Sequence, residues 1–267
     1  MSMITNTRVP RDLQLHDGDL VHAYWQCTDH ARQYLLSNPT FKELYLNLMA
    51  GTKKHYGICL IDFCLMDNHF HLLLRIRTVK EFSRFFQSVH TSFAKRVNHE
   101  TGRTGSVVEL RVKTQVVEEH ENAVLNLQAY LALNRWHCPE RTRPEDYPFS
   151  GYRHYAGFEK DERLDTSEAW LGLGETDAER AAAYRDLVEA KRLEGKAQDE
   201  EVLAGPRYFF GSAQYCLSRT EQLLSQVRAH NRELYAARKL AASDAAASCP
   251  AHGGQTLCRH ADASQKD

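Results

Sequence analysis

Two hydrophobic periods alternate along the first 150 residues, one typical of strands and one typical of helices. Apolar-rich or alternating segments at 20–27, 58–65, 69–76 and 110–117 predict four strands. Between and after them, apolar residues at helical spacing predict helices, with stripes at 41–49 and 82–97 and a third segment at 118–136. Asn38-Pro39 and Thr78-x-x-Glu81 are typical helix starts, the first for its proline and the second as a capping box.

The resulting order, β-α-β-β-α-β followed by a helix, predicts an α+β fold. It is the ferredoxin-like arrangement, an antiparallel sheet with its helices on one face, here with a helical C-terminal extension. We predict a catalytic domain over residues 1–160, a helical extension over 161–240 and a disordered tail over 241–267, where the chain becomes polar and rich in Ala and Ser.

Length and composition exclude several classes of protein. The chain has 267 residues, 42% of them hydrophobic and 26% charged, which is typical of a soluble globular protein. No apolar run approaches the ~18 residues of a membrane-spanning helix, and the N-terminus lacks the apolar core of a signal peptide. The seven cysteines include no C-x-x-C pair. We therefore expect a cytoplasmic protein without disulfides.

The net charge of −1 hides a local basic tract. Residues 75–113 contain nine basic and three acidic side chains. Such a tract on a neutral chain is typical of a groove for a polyanion, or simply of a solvated helix face. The predicted DNA-binding residues are Arg75, Arg77, Lys80, Arg84, Lys95, Arg96, Arg103, Arg111 and Lys113.

His69-Phe70-His71 is the most informative local motif. Residues two apart on a strand point to the same face, so the two imidazoles project together while Phe70 enters the core. Two neutral imidazoles at this spacing can bind one divalent ion. The alternative is a pair of histidines on a solvated face.

Tyr130 and Asn134 form a second motif, because residues four apart lie on one face of a helix. An amide oxygen can complete a metal site begun by two histidines, and a phenol can act as a nucleophile when a cation activates its target. The alternative is a core tyrosine with a polar neighbour.

Taken together, the motifs resemble a known family. Met66-Asp67-Asn68-His69-Phe70-His71-Leu72-Leu73-Leu74, then Tyr130-x-x-x-Asn134, then residues 146–155 (DYPFSGYRHY) resemble the IS200-like (Y1, HUH-type) transposases and their REP-associated tyrosine transposase branch. Residues 171–185 and Phe210-Gly211-Ser212 are similar to its downstream region. Two positions depart from its pattern: Asp67 replaces a proline, and Arg135-Trp136-His137-Cys138 replaces a run that begins with proline.

The resemblance implies a metal-dependent single-stranded DNA endonuclease and strand transferase. His69, His71 and Asn134 would hold Mg²⁺ or Mn²⁺, and Tyr130 would form a 5′-phosphotyrosine intermediate. The implied partner is single-stranded DNA with a REP-like hairpin, bound by a monomer or a homodimer, and the resemblance implies association with the nucleoid. The rival hypothesis is a domesticated protein that binds DNA hairpins without cleaving them.

The C-terminal tail contains two cysteines and two histidines whose spacing matches no standard zinc site: Cys249, His252, Cys258 and His260.

Overall fold

The computed structural model describes residues 9–27, 35–108, 111–195 and 208–247. Its sheet has five strands in the order β2-β3-β1-β4-β5. The first four pair antiparallel in the predicted ferredoxin-like order, and β5 adds to β4 in parallel. The strands are β1 (Leu20–Gln26), β2 (Ile58–Leu65), β3 (His69–Ile76), β4 (Lys113–Val117) and β5 (Phe209–Phe210).

Eight α-helices connect and extend this sheet within the described residues. They are α1 (Arg11–Gln14), α2 (Pro39–Lys53), α3 (Val79–Thr101), α4 (Glu121–Leu133), α5 (Tyr152–Tyr155), α6 (Glu168–Leu171), α7 (Asp177–Glu194) and α8 (Ala213–Ala247). The predicted helix starts are confirmed: the Asn38 side chain accepts a hydrogen bond from Thr40 N at 2.9 Å, and Thr78 caps α3 by accepting from Glu81 N at 3.1 Å.

The two crossover helices share one face of the sheet, as predicted. Trp25 of β1 packs its ring 4.2 Å from that of Phe70 of β3 and 5.8 Å from that of Tyr45 of α2. Its indole N–H also donates a 2.7 Å hydrogen bond to His90 Nε2 of α3. Because side chains alternate along a strand, His22 and His71 point to the opposite face, and α4 covers that face through Tyr130.

The chain after α4 closes over this second face. Residues 149–151 run beside the edge of β2, with Leu65 N donating to Phe149 O and Gly151 N to Phe63 O, both at 2.9 Å. Helices α5 and α7 then bury an apolar and aromatic cluster against α4, formed by Ala129, Leu133, Tyr152, Tyr155, Tyr184 and Val188. Thr176 and Glu179 form the capping box that starts α7.

The chain divides into a compact unit of residues 1–224 and a second unit of residues 225–267. The first unit contains the sheet and helices α1–α7. Helix α8 remains helical to Ala247, past the predicted start of the disordered tail. The tail cysteines and histidines lie outside the described residues. No helix within the described ranges is long and apolar enough to span a membrane.

Candidate active site

His69 and His71 lie on one face of β3, with ring centroids 5.2 Å apart. His69 Nδ1 is 2.7 Å from the Asn68 side-chain oxygen, which can only accept a hydrogen bond. His69 therefore carries its proton on Nδ1 and keeps a lone pair on Nε2. Burial lowers the pKa of both rings, and the charges of His22 and His69 lower that of His71 further. Both side chains are thus neutral imidazoles near pH 7, the form that binds metals.

A third histidine, His22 of β1, fixes the orientation of His71. His22 Nε2 is 3.0 Å from His71 Nδ1, and His22 Nδ1 is 2.9 Å from Gln115 Oε1 on β4. The Gln115 oxygen accepts, so His22 carries its proton on Nδ1 and accepts at Nε2 from the Nδ1–H of His71. His71 is left with a lone pair on Nε2, matching His69. Sequence analysis did not single out His22 or Gln115.

Tyr130 reaches the histidines from α4 on the same side of the sheet. Its ring meets that of His71 edge to face, with centroids 5.6 Å apart and planes at 88°, and only 7% of the residue is exposed. A second tyrosine, Tyr24 of β1, stacks on His71 at 5.9 Å and 22°. Residues alternate between the two faces of β1, which places His22 and Tyr24 on the same face. This alternation is the sequence feature that could have identified both residues.

Asn134 caps the C-terminal end of α4. Its side-chain nitrogen donates a 3.3 Å hydrogen bond to the Tyr130 carbonyl oxygen, one turn earlier in the chain. The side-chain oxygen is then the atom that can serve a cation. In the described part of the chain, no hydrogen bond joins Asn134 to His69 or His71, and no group of three His, Cys, Asp or Glu side chains is arranged to hold a metal.

Asp67 links the turn before His69 to the end of α4. Its carboxylate accepts from Arg135 Nη1 at 2.7 Å and from Lys42 Nζ at 2.8 Å. Burial raises the pKa of Asp67, but hydrogen bonds from Lys42 and Arg135 outweigh it and bring the pKa below its usual value. The two positions that depart from the family pattern therefore contact each other, and Arg135 directly follows Asn134.

Two other tyrosines near this region form hydrogen bonds to backbone carbonyls of β2. The Tyr147 hydroxyl donates to Leu65 O and accepts from Lys42 Nζ, and the Tyr155 hydroxyl donates to Ile61 O. Burial raises the pKa of both phenols. Burial also raises the pKa of Tyr152, to about 12. The rings of Tyr130 and Tyr24 lie beside that of His71.

The predicted DNA-binding residues spread over both ends of the sheet. Arg75 pairs with Glu119 at 2.8 Å and Arg77 pairs with Glu81, at the far end of β3, roughly 20 Å from His69 at ~3.3 Å per residue. Lys113 begins β4 at the histidine end, and its Nζ lies 6.0 Å from the centre of the Tyr24 ring. The remaining residues lie on α3 or between α3 and β4: Lys80, Arg84, Lys95, Arg96, Arg103 and Arg111.

Comparison with known proteins identifies the segment that carries the histidines. A family model described as "Transposase IS200 like" matches residues 21–108, which confirms the predicted resemblance over a segment that includes His22, His69 and His71 and ends before Tyr130. A solved structure described as "Structure of the REP associates tyrosine transposase bound to a REP hairpin" aligns with a TM-score of 0.45 and 12% identity. That alignment covers 62% of this chain and 93% of the other. No curated protein matches the chain.

Proposed function

Because residues 21–108 match the IS200-like transposases, we propose that this chain is a metal-dependent, HUH-type single-stranded DNA endonuclease and strand transferase. The observation that carries the proposal is the contact of Tyr130 with His71, which brings a candidate nucleophile from α4 to the candidate metal ligands of β3. The two residues are far apart in the sequence, and they meet because α4 covers the face of the sheet that carries His71.

The donor atoms suit a divalent cation. His69 and His71 both offer neutral Nε2 lone pairs, and Asn134 adds an amide oxygen from the end of α4. Mixed nitrogen and oxygen donors of this kind accept Mn²⁺ and, with water, Mg²⁺. Bound there, the ion would polarise the scissile phosphate and offset the charge that develops on it.

Tyr130 would attack the scissile phosphorus. Its oxygen forms a bond to phosphorus as the bond to the 3′ oxygen breaks; the phenol proton passes to solvent and the departing 3′ oxygen takes one up. The products are a 5′-phosphotyrosine and a free 3′-OH. Attack by another 3′-OH reverses the step and transfers the strand. The phosphotyrosine retains the bond energy, so no nucleotide cofactor is required.

The proposed substrate is single-stranded DNA with a REP-like hairpin, and the protein would act in the cytoplasm, with the nucleoid, as a monomer or a homodimer. Lys113 lies beside Tyr24 at the histidine end of the sheet, where a strand entering the site would pass. The alternative is a protein that binds such hairpins without cleaving them, and covalent capture distinguishes the two.

The test is capture of the covalent intermediate with Mn²⁺ and a hairpin oligonucleotide labelled at its 3′ end, because that label stays with the 5′ phosphate. Wild type should form the adduct. Tyr130→Phe should form none, because it lacks the attacking oxygen while leaving the buried ring in place. Tyr24→Phe is the matched control and should retain the adduct.

His71→Ala should bind the hairpin and form no adduct. An adduct that persists in Tyr130→Phe, or that disappears only in Tyr24→Phe, would overturn the assignment of the nucleophile. Hairpin binding without an adduct in wild type would favour the non-cleaving alternative.

A further inference from the structure

A basic groove lies on the other face of the sheet from the histidines. It has a volume of about 710 Å³, and α3, the N-terminal segment and the chain just before β4 enclose it. Arg11 and Arg111 supply its charge, His90 and Thr91 add polar groups, and Phe86 and Val108 add apolar walls. We call it the Arg11–Arg111 groove. Its volume falls in the range that holds a ligand of nucleotide size.

Among the described residues, no acidic side chain compensates the positive charge of this groove. Within the described ranges, neither arginine forms an ion pair with an Asp or Glu, and no acidic side chain lines the groove. Arg11 donates to Ser83 Oγ at 3.1 Å and to Val112 O at 3.0 Å, and Arg111 donates to Val9 O at 2.9 Å. These neutral acceptors position the guanidinium groups and leave their charge in place. Burial, and then the charge of Arg111, lower the pKa of Arg11 to about 10.

Hydrogen-bond donors remain for a ligand. Arg11 Nε is buried and has no hydrogen-bond partner within the part of the chain that the structure describes. His90 Nε2 accepts from the Trp25 indole, which can only donate, so the neutral ring carries its proton on Nδ1. Burial keeps the His90 pKa at about 3, so this tautomer holds at neutral pH. The guanidinium groups and this ring N–H can donate hydrogen bonds but cannot accept them, which suits an anionic ligand.

We propose that the Arg11–Arg111 groove binds the phosphate group of a nucleotide unit, a second anion site distinct from the metal-and-tyrosine site. Guanidinium groups recognise phosphate oxygens through paired N–H donors. The phosphate can come from the backbone of the DNA strand or from a free phosphorylated molecule. The proposal goes beyond the proposed cleavage activity and does not depend on it.

The first arm of the test uses inorganic phosphate alone. The melting temperature of the full chain is compared in sodium phosphate and in sodium chloride at equal ionic strength, because a ligand that binds the folded state stabilises it. Wild type should melt higher in phosphate, increasingly so with concentration. Arg111→Gln should lose this response. Arg232→Gln, an equal charge change at an exposed position of α8 outside the groove, should keep it. Arg11→Gln is the second groove variant, should Arg111→Gln fail to fold.

The second arm uses a fluorescent single-stranded oligonucleotide in EDTA, where no cleavage occurs, so it is independent of the proposed function. If the groove holds the DNA backbone, Arg111→Gln should reduce the slope of log affinity against log salt by about 0.7, the value for one phosphate contact on a single strand. Arg232→Gln should leave it unchanged. A phosphate response without a slope change would identify a free phosphorylated ligand, and a slope change alone would identify DNA. Absence of both effects would overturn the proposal.

Discussion

The buried side chain of His22 determines which nitrogen of His71 can bind a metal. It is fully buried, and burial lowers its pKa to about 4, so it is neutral near pH 7. A neutral His22 with its proton on Nδ1 must accept at Nε2, and this forces the His71 lone pair onto Nε2. Partners of this kind orient metal-binding histidines and commonly change metal affinity 10–100-fold.

We predict that His22→Phe weakens Mn²⁺ binding by about 10–100-fold, because His71 Nδ1 loses its acceptor and the ring loses its fixed tautomer. Gln115→Leu should produce a smaller loss, since His22 stays in place. The measurement is calorimetric titration of the DNA-free protein with Mn²⁺. Tyr24→Phe, on the same face of β1, is the control and should bind normally. Unchanged affinity in a correctly folded His22→Phe protein would contradict this role of the hydrogen bonds from Gln115 through His22 to His71.

Asp62 is a buried carboxyl group with a cost that depends on pH. It is 1% exposed, and burial raises its pKa to about 7 even though Phe63 N donates to it at 2.7 Å. The folded chain then holds this proton between about pH 4 and 7 while the unfolded chain releases it. The folded state is therefore most stable, as far as Asp62 is concerned, below about pH 4, and this part of the free energy of unfolding is lost as pH rises through about 7.

We predict that Asp62→Asn becomes increasingly favourable, relative to wild type, as pH rises from 5 to 8. Asparagine keeps the oxygen that accepts from Phe63 N and removes the charge. Urea unfolding of both proteins at each pH measures the difference. A difference that is the same at pH 5 and pH 8 would show that Asp62 has an ordinary pKa in the folded chain.

At the scale of elements, the site depends on how the β2–β3 turn meets the end of α4. Asp67 joins them through Arg135, and Lys42 of α2, whose side chain is 4% exposed, holds the other carboxylate oxygen. A buried cation that loses its partner is costly, on the order of 3–5 kcal/mol. The three side chains therefore set the distance between the strand that carries His69 and the helix end that carries Asn134.

We predict that Asp67→Asn and Arg135→Gln each lower stability and slow cleavage, and that their effects are not additive. The coupling free energy from a double-mutant cycle in urea should be about 1–3 kcal/mol. The exposed Arg77–Glu81 pair, which joins the end of β3 to the first turn of α3, is the matched control, with an expected coupling of about 0.5 kcal/mol or less. Additive effects of Asp67→Asn and Arg135→Gln would show that the contact does not couple the two elements.

Local patterns predicted the elements well and their contacts only in part. The Thr78 cap, the strand alternation around His69 and the succession of the first four strands along the chain follow from short-range sequence rules. Contacts between neighbouring strands do not, because β1 lies between β3 and β4 in the sheet and not in the sequence. For that reason the sequence patterns did not indicate roles for His22 and Gln115. They also did not show that Asp67, which departs from the family pattern, contacts Arg135, which departs from it as well. Strand β5, two residues long, has too little pattern to be predicted.

At the scale of the molecule, the acidic side chains of the C-terminal region are concentrated in one segment. Residues 161–195 contain ten acidic and five basic side chains, whereas residues 225–247 contain two acidic and four basic ones. The acidic balance of the C-terminal region therefore belongs to the segment around α6 and α7, within the compact unit of residues 1–224. Every residue of the proposed active site lies in that unit as well.

We predict that a chain ending at residue 240 folds and forms the covalent adduct at the wild-type rate, while a chain ending at residue 212 loses stability. The first cut leaves the compact unit intact. The second removes Cys216 and Leu223, which are 5% and 3% exposed, and the Arg219 side chain that lies 5.2 Å from the centre of the Phe209 ring on β5. Thermal melting and single-turnover cleavage measure the two effects separately. A folded 1–240 protein without cleavage would show that residues after 240 contribute to the chemistry, and a 1–212 protein as stable as the full chain would show that the start of α8 does not support the sheet.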